Sequence, residues 1–291
     1  MRKRITFILL SVAVLAATAA VSQSAARPGT TSAALASCAT GDLNLVSDGQ
    51  LTIGTDNPAY PPWFAGGSKS SWKINDPATG KGYESAVAYA IARKLGFAKS
   101  AVKWTYVPFN KAFAPGPKQF DFDINQISIT PARAEHVDFS QPYFTAPQAV
   151  VALKKSGAAN ATSLAALADA KLGVQVGTTS LDAVTASIKP KSQPQVYNDS
   201  NDTVRALKNG RIDAIVVDLP TAFYITAAQV PQAKIVGQFA APGGDRWGML
   251  LEKGSQLTGC LNRALAKVSS SGELRQLQDK WMGGDAAPAL R

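Results

Sequence analysis

The sequence predicts an α/β fold, and two observations support this. Short apolar runs with the composition of strands alternate with segments whose apolar residues recur at helical spacing. The chain has 291 residues, of which 46% are hydrophobic and 17% charged, which is enough for one large or two medium domains. Such alternation is typical of mainly parallel sheets that helices cover on both faces.

Six segments have the residue pattern of strands. They are residues 51–55, a run that begins at Lys103, and residues 121–129, 148–155, 172–176 and 211–217. The clearest helix runs from Tyr83 to Leu95, with apolar residues on one face and Gly96 after its end. Further helices are predicted at about 179–188, 202–209, 220–229, 256–268 and 273–282.

The N-terminal segment has the layout of a secretory signal. Arg2, Lys3 and Arg4 precede an apolar run and then small residues, so we expect a signal peptide over residues 1–26 and a flexible lead-in over 27–44. No later stretch is apolar over the roughly 18 residues that a membrane helix needs. The protein is therefore expected to be exported, to the periplasm or the cell surface.

The formal charge of +10 raises the question of nucleic acid as a partner. Three of these charges lie in the signal and the others are scattered, with Lys154 and Lys155 as the longest adjacent pair in the mature region. We therefore expect no nucleic-acid partner.

Cys38 and Cys260 are the two cysteines of the chain. An even count in an exported protein favours a disulfide between them. Lipidation is the alternative, because residues 35–38 read Leu-Ala-Ser-Cys, as in a bacterial lipobox, and Cys38 would then anchor the protein to a membrane. Two cysteines and the single His136 cannot form a Cys/His zinc site, so we expect no metal and no cofactor.

An arginine follows a strong helix start in the stretch ISITPARAEHVDFSQPYF. Thr130 can cap the helix and Pro131 suits its first position, which places Arg133 in the first turn beside the positive end of the helix. Such a place suits a carboxylate, which matches the guanidinium fork. The alternative is a surface ion pair of Arg133 with Glu135 or Asp138.

Two more strand ends carry polar groups. Residues 177–180, Gly-Thr-Thr-Ser, follow one strand and offer N–H and O–H donors for a carboxylate. Asp218 follows another strand and would suit an ammonium group, unless it is a helix cap for 220–229. Ligands of open α/β sheets bind at the carboxyl ends of strands, so these groups together describe a site for a zwitterion.

Six stretches resemble, in order, the bacterial extracellular solute-binding proteins that serve polar amino-acid ABC importers. They are IGTDNPAYPPW, GKGYESAVAYAIARKLGF, ISITPARAEHVDFSQPYF, LGVQVGTTS, NGRIDAIVVDLPTAFY and the C-terminal stretch from LLEKGS to WMGG, and they cover roughly residues 50–284. The resemblance implies a two-lobed, type II periplasmic-binding-protein fold with a hinge and a ligand cleft between the lobes. Lobe 1 would comprise residues 45–146 plus 240–291, and lobe 2 residues 147–239.

The resemblance also implies roles for individual residues. Arg133 would bind the ligand α-carboxylate with help from Ser128 and Thr179, and Asp218 would bind the α-ammonium. These four residues would fix the common part of an amino acid.

Other residues would face the ligand side chain. Asp56 and Tyr60 match the family's Asp and aromatic residue after the first strand, and Phe109 resembles the aromatic residue that packs on the other side. Gln126 stands where small residues are common and would narrow the pocket. One extra residue follows Asp56, so Asn57 is an alternative to it, and residues 65–82 form an insertion that could cover the cleft as a flap.

Three function classes follow. The leading one is a binding protein, expected to be a monomer, that captures a polar or basic amino acid and delivers it to a membrane ABC permease. An enzyme of the same fold, dehydratase-like or lytic, is the second class. The sequence shows no Ser/His/Asp or Cys/His catalytic set. Asp121 and Asp123 could be paired catalytic carboxylates, but they are expected at a solvated strand edge. The third class is a ligand-sensing receptor domain, for which a fused membrane helix and signalling domain would be usual.

Overall fold

The computed structural model describes residues 37–69, 71–282 and 287–291. The predicted signal peptide, its cleavage site and the first part of the lead-in lie outside the described residues. None of the helices in these three ranges is both long enough and apolar enough to span a membrane.

The described residues form twelve strands. They are β1 Leu51–Thr55, β2 Val102–Tyr106, β3 Phe122–Asp123, β4 Val137–Phe139, β5 Phe144–Thr145, β6 Gln148–Leu153, β7 Leu172–Gln175, β8 Gln195–Tyr197, β9 Ala214–Asp218, β10 Ala233–Phe239, β11 Arg246–Trp247 and β12 Leu250–Glu252. Two five-stranded sheets result, in the orders β2-β1-β3-β12-β4 and β10-β6-β9-β7-β8. We refer to the parts of the chain built on them as lobe 1 and lobe 2, and the exact boundaries between the two stay a prediction.

Eight α-helices cover the sheets. They are α1 Tyr83–Lys94, α2 Phe109–Ala112, α3 Pro131–Ala134, α4 Thr179–Ala183, α5 Ser200–Lys208, α6 Leu219–Tyr224, α7 Leu257–Ser270 and α8 Glu273–Met282. Two π-helical segments, Val184–Ile188 and Ile225–Gln229, continue α4 and α6. The alternation of strands and helices confirms the predicted α/β class.

The sheets are mixed, whereas mainly parallel sheets were predicted. β1 pairs in parallel with β2 and β3, and β7 with β8 and β9. β12 is antiparallel to β3 and β4, and β6 is antiparallel to β9 and β10. The antiparallel strands lie next to the places where the chain passes from one sheet to the other, which alternation along the sequence does not reveal.

The two crossovers between the lobes run side by side. β5 and β11 form a two-stranded antiparallel ribbon, in which Phe144 lies opposite Trp247 and Thr145 opposite Arg246. The amide of Ala146 continues the ribbon by donating to the carbonyl of Asp245, at 2.9 Å. This ribbon occupies the place of the predicted hinge.

The predicted strand at 121–129 is much shorter in the structure. Regular pairing ends at Asp123, and Gln126 has a left-handed backbone with φ 50°, which a strand cannot contain. Residues 124–129 therefore form a loop at the end of β3. The loop returns to an isolated bridge between Ser128 and Trp247.

Both ends of the described chain are attached to the fold. Cys38 forms a disulfide with Cys260 of α7, and Leu43 packs on the core of lobe 1, although both lie in the predicted flexible lead-in. Residues 287–291, which were predicted with lobe 1, instead bond to the edge strand β10 of lobe 2. The Gln238 amide donates to the Pro288 carbonyl at 2.7 Å, and Leu290 is buried.

Candidate functional site

A cavity of about 120 Å³ lies between the two lobes, at the ends of β1, β3, β7 and β9. Seven of the eight predicted site residues line it. They are Asp56, Tyr60, Phe109, Gln126, Ser128, Thr179 and Asp218. The structure thus brings together residues that are up to 162 positions apart, as the difference between 218 and 56 shows.

Arg133 is the predicted site residue that does not line the cavity. Its Nη1 donates to the carbonyl of Ser128 at 2.7 Å, and its Nη2 donates to the carbonyl of Gly177 at 2.8 Å. The first carbonyl belongs to lobe 1 and the second to lobe 2. The guanidinium therefore joins the lobes directly behind the cavity wall.

The local sequence explains where Arg133 lies. The Thr130 hydroxyl accepts from the Arg133 amide at 3.2 Å and caps α3, as predicted. The guanidinium lies 4.5 Å from the ring centroid of Phe113 and 5.6 Å from that of Phe109. Arg133 is buried, and burial lowers its pKa, while Asp245, Asp182 and Asp218 act in the opposite direction.

The structure excludes the alternative in which Arg133 forms a surface ion pair. Asp138 pairs with Lys253 instead, with Nζ and Oδ1 3.4 Å apart, and Glu135 is exposed. His136 is exposed on the same turn, as expected of a surface residue.

Hydroxyl groups from the two lobes meet at the cavity. The Ser128 Oγ lies 3.2 Å from the Thr179 Oγ1, and the latter donates to Asp245 Oδ2 at 2.9 Å. Thr179 is the first residue of α4, so backbone N–H groups of that helix start lie beside these hydroxyls. The Thr179 hydroxyl gives its one proton to Asp245, so the Ser128 hydroxyl and the backbone N–H groups at the start of α4 are the donors that suit a carboxylate.

Asp218 lies at the end of β9 and does not cap α6. It occupies the residue before the helix, but its side chain makes no capping hydrogen bond. Its Oδ1 accepts instead from Gln148 Nε2 at 2.7 Å. Burial and the neighbouring Asp245 raise its pKa well above the usual value, and Gln148 and Arg133 lower it in part. Asp218 itself lines the cavity.

Asp56, and not Asn57, faces the cavity. The Asn57 side chain bonds to the insertion, since its Nδ2 donates to the Ser71 carbonyl at 2.9 Å and its Oδ1 accepts from the Lys73 amide at 3.1 Å. Burial raises the pKa of Asp56. None of the described residues of the predicted flap, 65–82, is among those that line the cavity.

Aromatic rings line the cavity from both lobes. The Tyr60 ring of lobe 1 lies 6.0 Å from the Tyr224 ring of lobe 2, centroid to centroid. Trp63 and Phe64 also touch the cavity, and both are almost fully buried in the core of lobe 1. A side chain held here would lie against flat apolar surfaces.

A buried glutamate, Glu84, holds Gln126 in position. Its Oε1 accepts from the Gln126 amide at 2.7 Å, and its Oε2 accepts from the Gln126 side-chain amide. Glu84 lies in the first turn of α1, which starts after Gly82, where a Cβ would come within 2.4 Å of the Trp63 carbonyl. Burial raises the pKa of Glu84 to about 7.

Asp121 and Asp123 are buried, whereas a solvated strand edge was expected. Asp121 accepts from the amides of Val46 and Thr52 at 2.8 and 2.6 Å, so it orders the chain before β1. Both carboxyl oxygens of Asp123 are without a hydrogen-bond partner in the part of the chain that the structure describes. Burial raises the pKa of Asp123 well above its usual value, and Glu84 and Asp56 add to this effect.

Sequence reasoning missed several residues of the site. Glu84, Gln148 and Asp245 position cavity residues, and Tyr224 lines the cavity. An acidic residue on the apolar side of a predicted helix was a signal for Glu84, since a buried charge needs partners. Asp245 follows Gly243 and Gly244 in a loop without a periodic pattern, so nothing in the local sequence indicates that it belongs to the site.

Comparison with known families agrees with this geometry. Residues 51–284 match the family described as bacterial extracellular solute-binding proteins, family 3, which is more than half of the chain. The chain belongs to this family.

Relatives of this family-3 solute-binding protein are known. The chain is 29% identical over 250 residues to the L-cystine-binding protein of Escherichia coli strain K12, covering 84% of this chain and 87% of that one. An ancestral arginine-binding protein has been solved in two complexes, each with a TM-score of 0.66 and covering 81% of this chain and 99% of that one. The chain is 32% identical to it in the complex with arginine and 30% in the complex with glutamine.

Proposed function

We propose that this protein binds one polar or basic amino acid in the cavity between its lobes and delivers it to an ABC importer. The observation that carries the proposal is that donors and a carboxyl group face one small cavity from both lobes. Ser128 and Thr179 present hydroxyls, and Asp218 presents a carboxyl group. A molecule with an ammonium and a carboxylate group complements both.

In this proposal the ligand carboxylate lies at the hydroxyls of Ser128 and Thr179. Arg133 supplies positive charge behind them, because it bonds to the Ser128 carbonyl. Its Nη1 and Nη2 bond to carbonyls behind the cavity wall, so in this proposal the guanidinium exchanges these two bonds for a bidentate contact when the carboxylate enters. Asp218 receives the ammonium group.

The lining favours a polar or cationic side chain. Asp56 contributes a second carboxyl, and Gln126, Gln175 and Gln229 contribute amides. The rings of Tyr60 and Tyr224 provide faces for cation–π contact. The relatives described above bind cystine, arginine or glutamine, which also favours a ligand with a polar or cationic side chain.

Export and delivery complete the proposal. We propose that residues 1–26 direct export, that the mature protein acts as a monomer outside the cytoplasm, and that a membrane permease accepts the amino acid. The Cys38 sulfur is bonded to Cys260 in a disulfide, so it cannot also form a thioether with a lipid. The mature protein is then soluble and not lipid-anchored at Cys38, and its mass lacks a diacylglycerol increment.

A thermal-shift screen of the purified mature protein against the twenty standard amino acids tests the proposal. A bound amino acid stabilises the folded state by mass action, so one or a few should raise Tm in a concentration-dependent way. Asp218→Asn is the matched variant, because it keeps the shape of the carboxyl and removes its charge. No rise in Tm with any amino acid would reject the proposal. A rise in Tm that is undiminished in Asp218→Asn would reject the assignment of Asp218 to the ammonium group.

A further inference from the structure

Asp245 places a second buried carboxyl directly beside Asp218. It lies just before β11 in the ribbon between the lobes and is only 2% exposed. Its Oδ2 accepts from Thr179 Oγ1 at 2.9 Å and from Gln148 Nε2 at 2.7 Å. Its Oδ1 is buried and has no partner among the described residues.

One amide group lies between the two carboxyls. Gln148 Nε2 donates to Asp218 Oδ1 and to Asp245 Oδ2, each at 2.7 Å. These two oxygens are therefore at most twice that distance apart. Gln148 Oε1 accepts from the Ser180 hydroxyl at 2.6 Å, which fixes the direction in which the amide points.

Few charged groups of the described residues act on this pair. Arg133 is the cation whose charge acts on both carboxyls, and Asp182 is a further carboxyl near Arg133. Gln148, Thr179 and Ser180 are neutral. Two carboxylates this close in a buried place repel each other, so ionising both is costly unless another cation arrives. Burial and Asp245 raise the pKa of Asp218, in agreement with this argument.

We propose that Asp218 and Asp245 hold one proton between them, and that the ammonium group of the bound amino acid displaces this proton to solvent. The inference rests on the proposed function, because it assigns the ammonium to Asp218. No covalent bond changes: the zwitterion enters, its N–H groups take over the role of the shared proton, and one proton leaves. Asp245 is thus a positioning residue that makes binding depend on pH.

The consequence for affinity has a definite sign. Below the pKa of Asp218, binding must release a proton, so lowering the pH weakens binding, by up to tenfold per pH unit for one proton. Above that pKa the dependence disappears. Asp245→Asn keeps an acceptor for Thr179 and Gln148 but removes the second charge, so the pKa of Asp218 falls and the pH dependence moves to lower pH, while burial, the larger cause of the raised pKa, remains.

The pair can first be tested without any amino acid. NMR of protein with ¹³C-labelled aspartate carboxyls, assigned with Asp218→Asn and Asp245→Asn, should show the Asp218 carboxyl titrating at a pH well above that of ordinary aspartates. In Asp245→Asn, Asp218 should titrate at lower pH. Titration of Asp218 at the pH of an ordinary aspartate, or at the same pH with and without Asp245→Asn, would overturn the proposal, whatever the protein binds.

The release step is tested by calorimetry with L-arginine and L-glutamine. Titrations between pH 5 and pH 8, in buffers that differ in ionisation enthalpy, give the number of protons exchanged. At one pH we expect up to one proton released per molecule bound by wild type and fewer by Asp245→Asn, in which the pKa of Asp218 is lower. Asp169→Asn, which alters an exposed carboxyl paired with Lys191, should release the wild-type number.

Two further outcomes distinguish a failure of this inference from a failure of the proposed function. Binding without proton release, together with an Asp218 carboxyl that titrates high, overturns this inference and leaves the proposed function intact. An Asp218 carboxyl that titrates high in a protein that binds none of the twenty amino acids rejects the proposed function and the release step with it.

Discussion

Glu84 fixes Gln126 at two points, because its two carboxyl oxygens accept from the backbone amide and from the side-chain amide of the same residue. The Tyr143 hydroxyl donates to the same carboxyl. Gln126 has a left-handed backbone, which is unfavourable for a residue other than glycine and needs surrounding contacts to hold it. A residue in the wall of the cavity thus depends on a carboxyl in the core of lobe 1.

We predict that Glu84→Gln weakens amino-acid binding by about tenfold, corresponding to about 1.4 kcal/mol. Glutamine has one acceptor oxygen in place of two, so a donor would face a donor at Gln126 or Tyr143. Calorimetry measures the affinity, and Glu135→Gln, at an exposed glutamate, is the control. In a Gln126→Ala background the same substitution should have little further effect, since the two residues act together. Equal losses in both backgrounds would contradict this role.

The raised pKa of Glu84 predicts how stability changes with pH. In the unfolded chain the carboxyl ionises near 4.5, and in the folded protein it ionises at about 7. Between these values the folded state binds more protons, so this contribution to stability is complete below pH 4.5 and is lost as the pH rises to about 7.

Urea unfolding of wild type and Glu84→Gln between pH 4.5 and 8 measures this contribution. The difference removes the contributions of Asp56 and Asp218, whose pKa values are also raised in both proteins. It retains the coupling between Glu84 and Asp123, because the charge of Glu84 adds to the raised pKa of Asp123. We expect the stability of wild type relative to the variant to fall by up to about 1.4 kcal/mol per pH unit in this window. Parallel curves would show that Glu84 titrates near its usual pKa in the folded protein.

Local signals in the sequence were enough to place the strand-end groups of the site. The Thr130-Pro131 helix start puts Arg133 in the first turn of α3, and the apolar run before Asp218 puts its carboxyl at the end of β9. The positions of Arg133 and Asp218 both depend on residues only a few positions away in the sequence. The polar groups at the strand ends could therefore be predicted from the residues, whereas the cleft between two lobes was predicted from the resemblance to a known family.

The rest of the site depends on contacts between distant segments. Gln126 takes its backbone conformation from a residue 42 positions earlier, so the sequence around it reads as a continuing strand. Asp245 bonds to Gln148, which is 97 positions away, because β5 and β11 pair beside them. Neither relationship leaves a periodic pattern in the chain.

We predict that Arg133→Ala reduces amino-acid affinity by about 30-fold or more while the protein still folds. The substitution removes the bonds to the Ser128 and Gly177 carbonyls that join the lobes, and it removes the positive charge behind the cavity. Truncation of one partner in a buried charged contact typically costs at least about 2 kcal/mol. Calorimetry gives the affinity and circular dichroism checks the fold.

Two further variants sharpen the Arg133 test. Arg133→Lys keeps the charge but loses the planar fork, so its affinity should lie between those of wild type and Arg133→Ala. Arg275→Ala removes an exposed arginine on α8 and should bind as wild type does. Wild-type affinity in Arg133→Ala would remove Arg133 from the site.

Leu290 should stabilise lobe 2 although it is the second-last residue of the chain. It is 5% exposed and packs in the core that includes Val236 and Phe239. Its amide donates to the Gln238 carbonyl at 2.8 Å, and Gly237 permits this approach, since a Cβ there would lie 2.6 Å from the Leu290 side chain. We predict that Leu290→Ala lowers the free energy of unfolding by about 2 to 5 kcal/mol, the usual cost of such a truncation in a core. Urea unfolding measures this change.

Arg291→Ala is the control. It alters an exposed side chain and keeps the backbone carbonyl that accepts from the Leu164 amide, so it should change the free energy of unfolding by less than about 0.5 kcal/mol. Equal stability of the two variants would mean that the C-terminal residues do not hold the edge of β10 in solution.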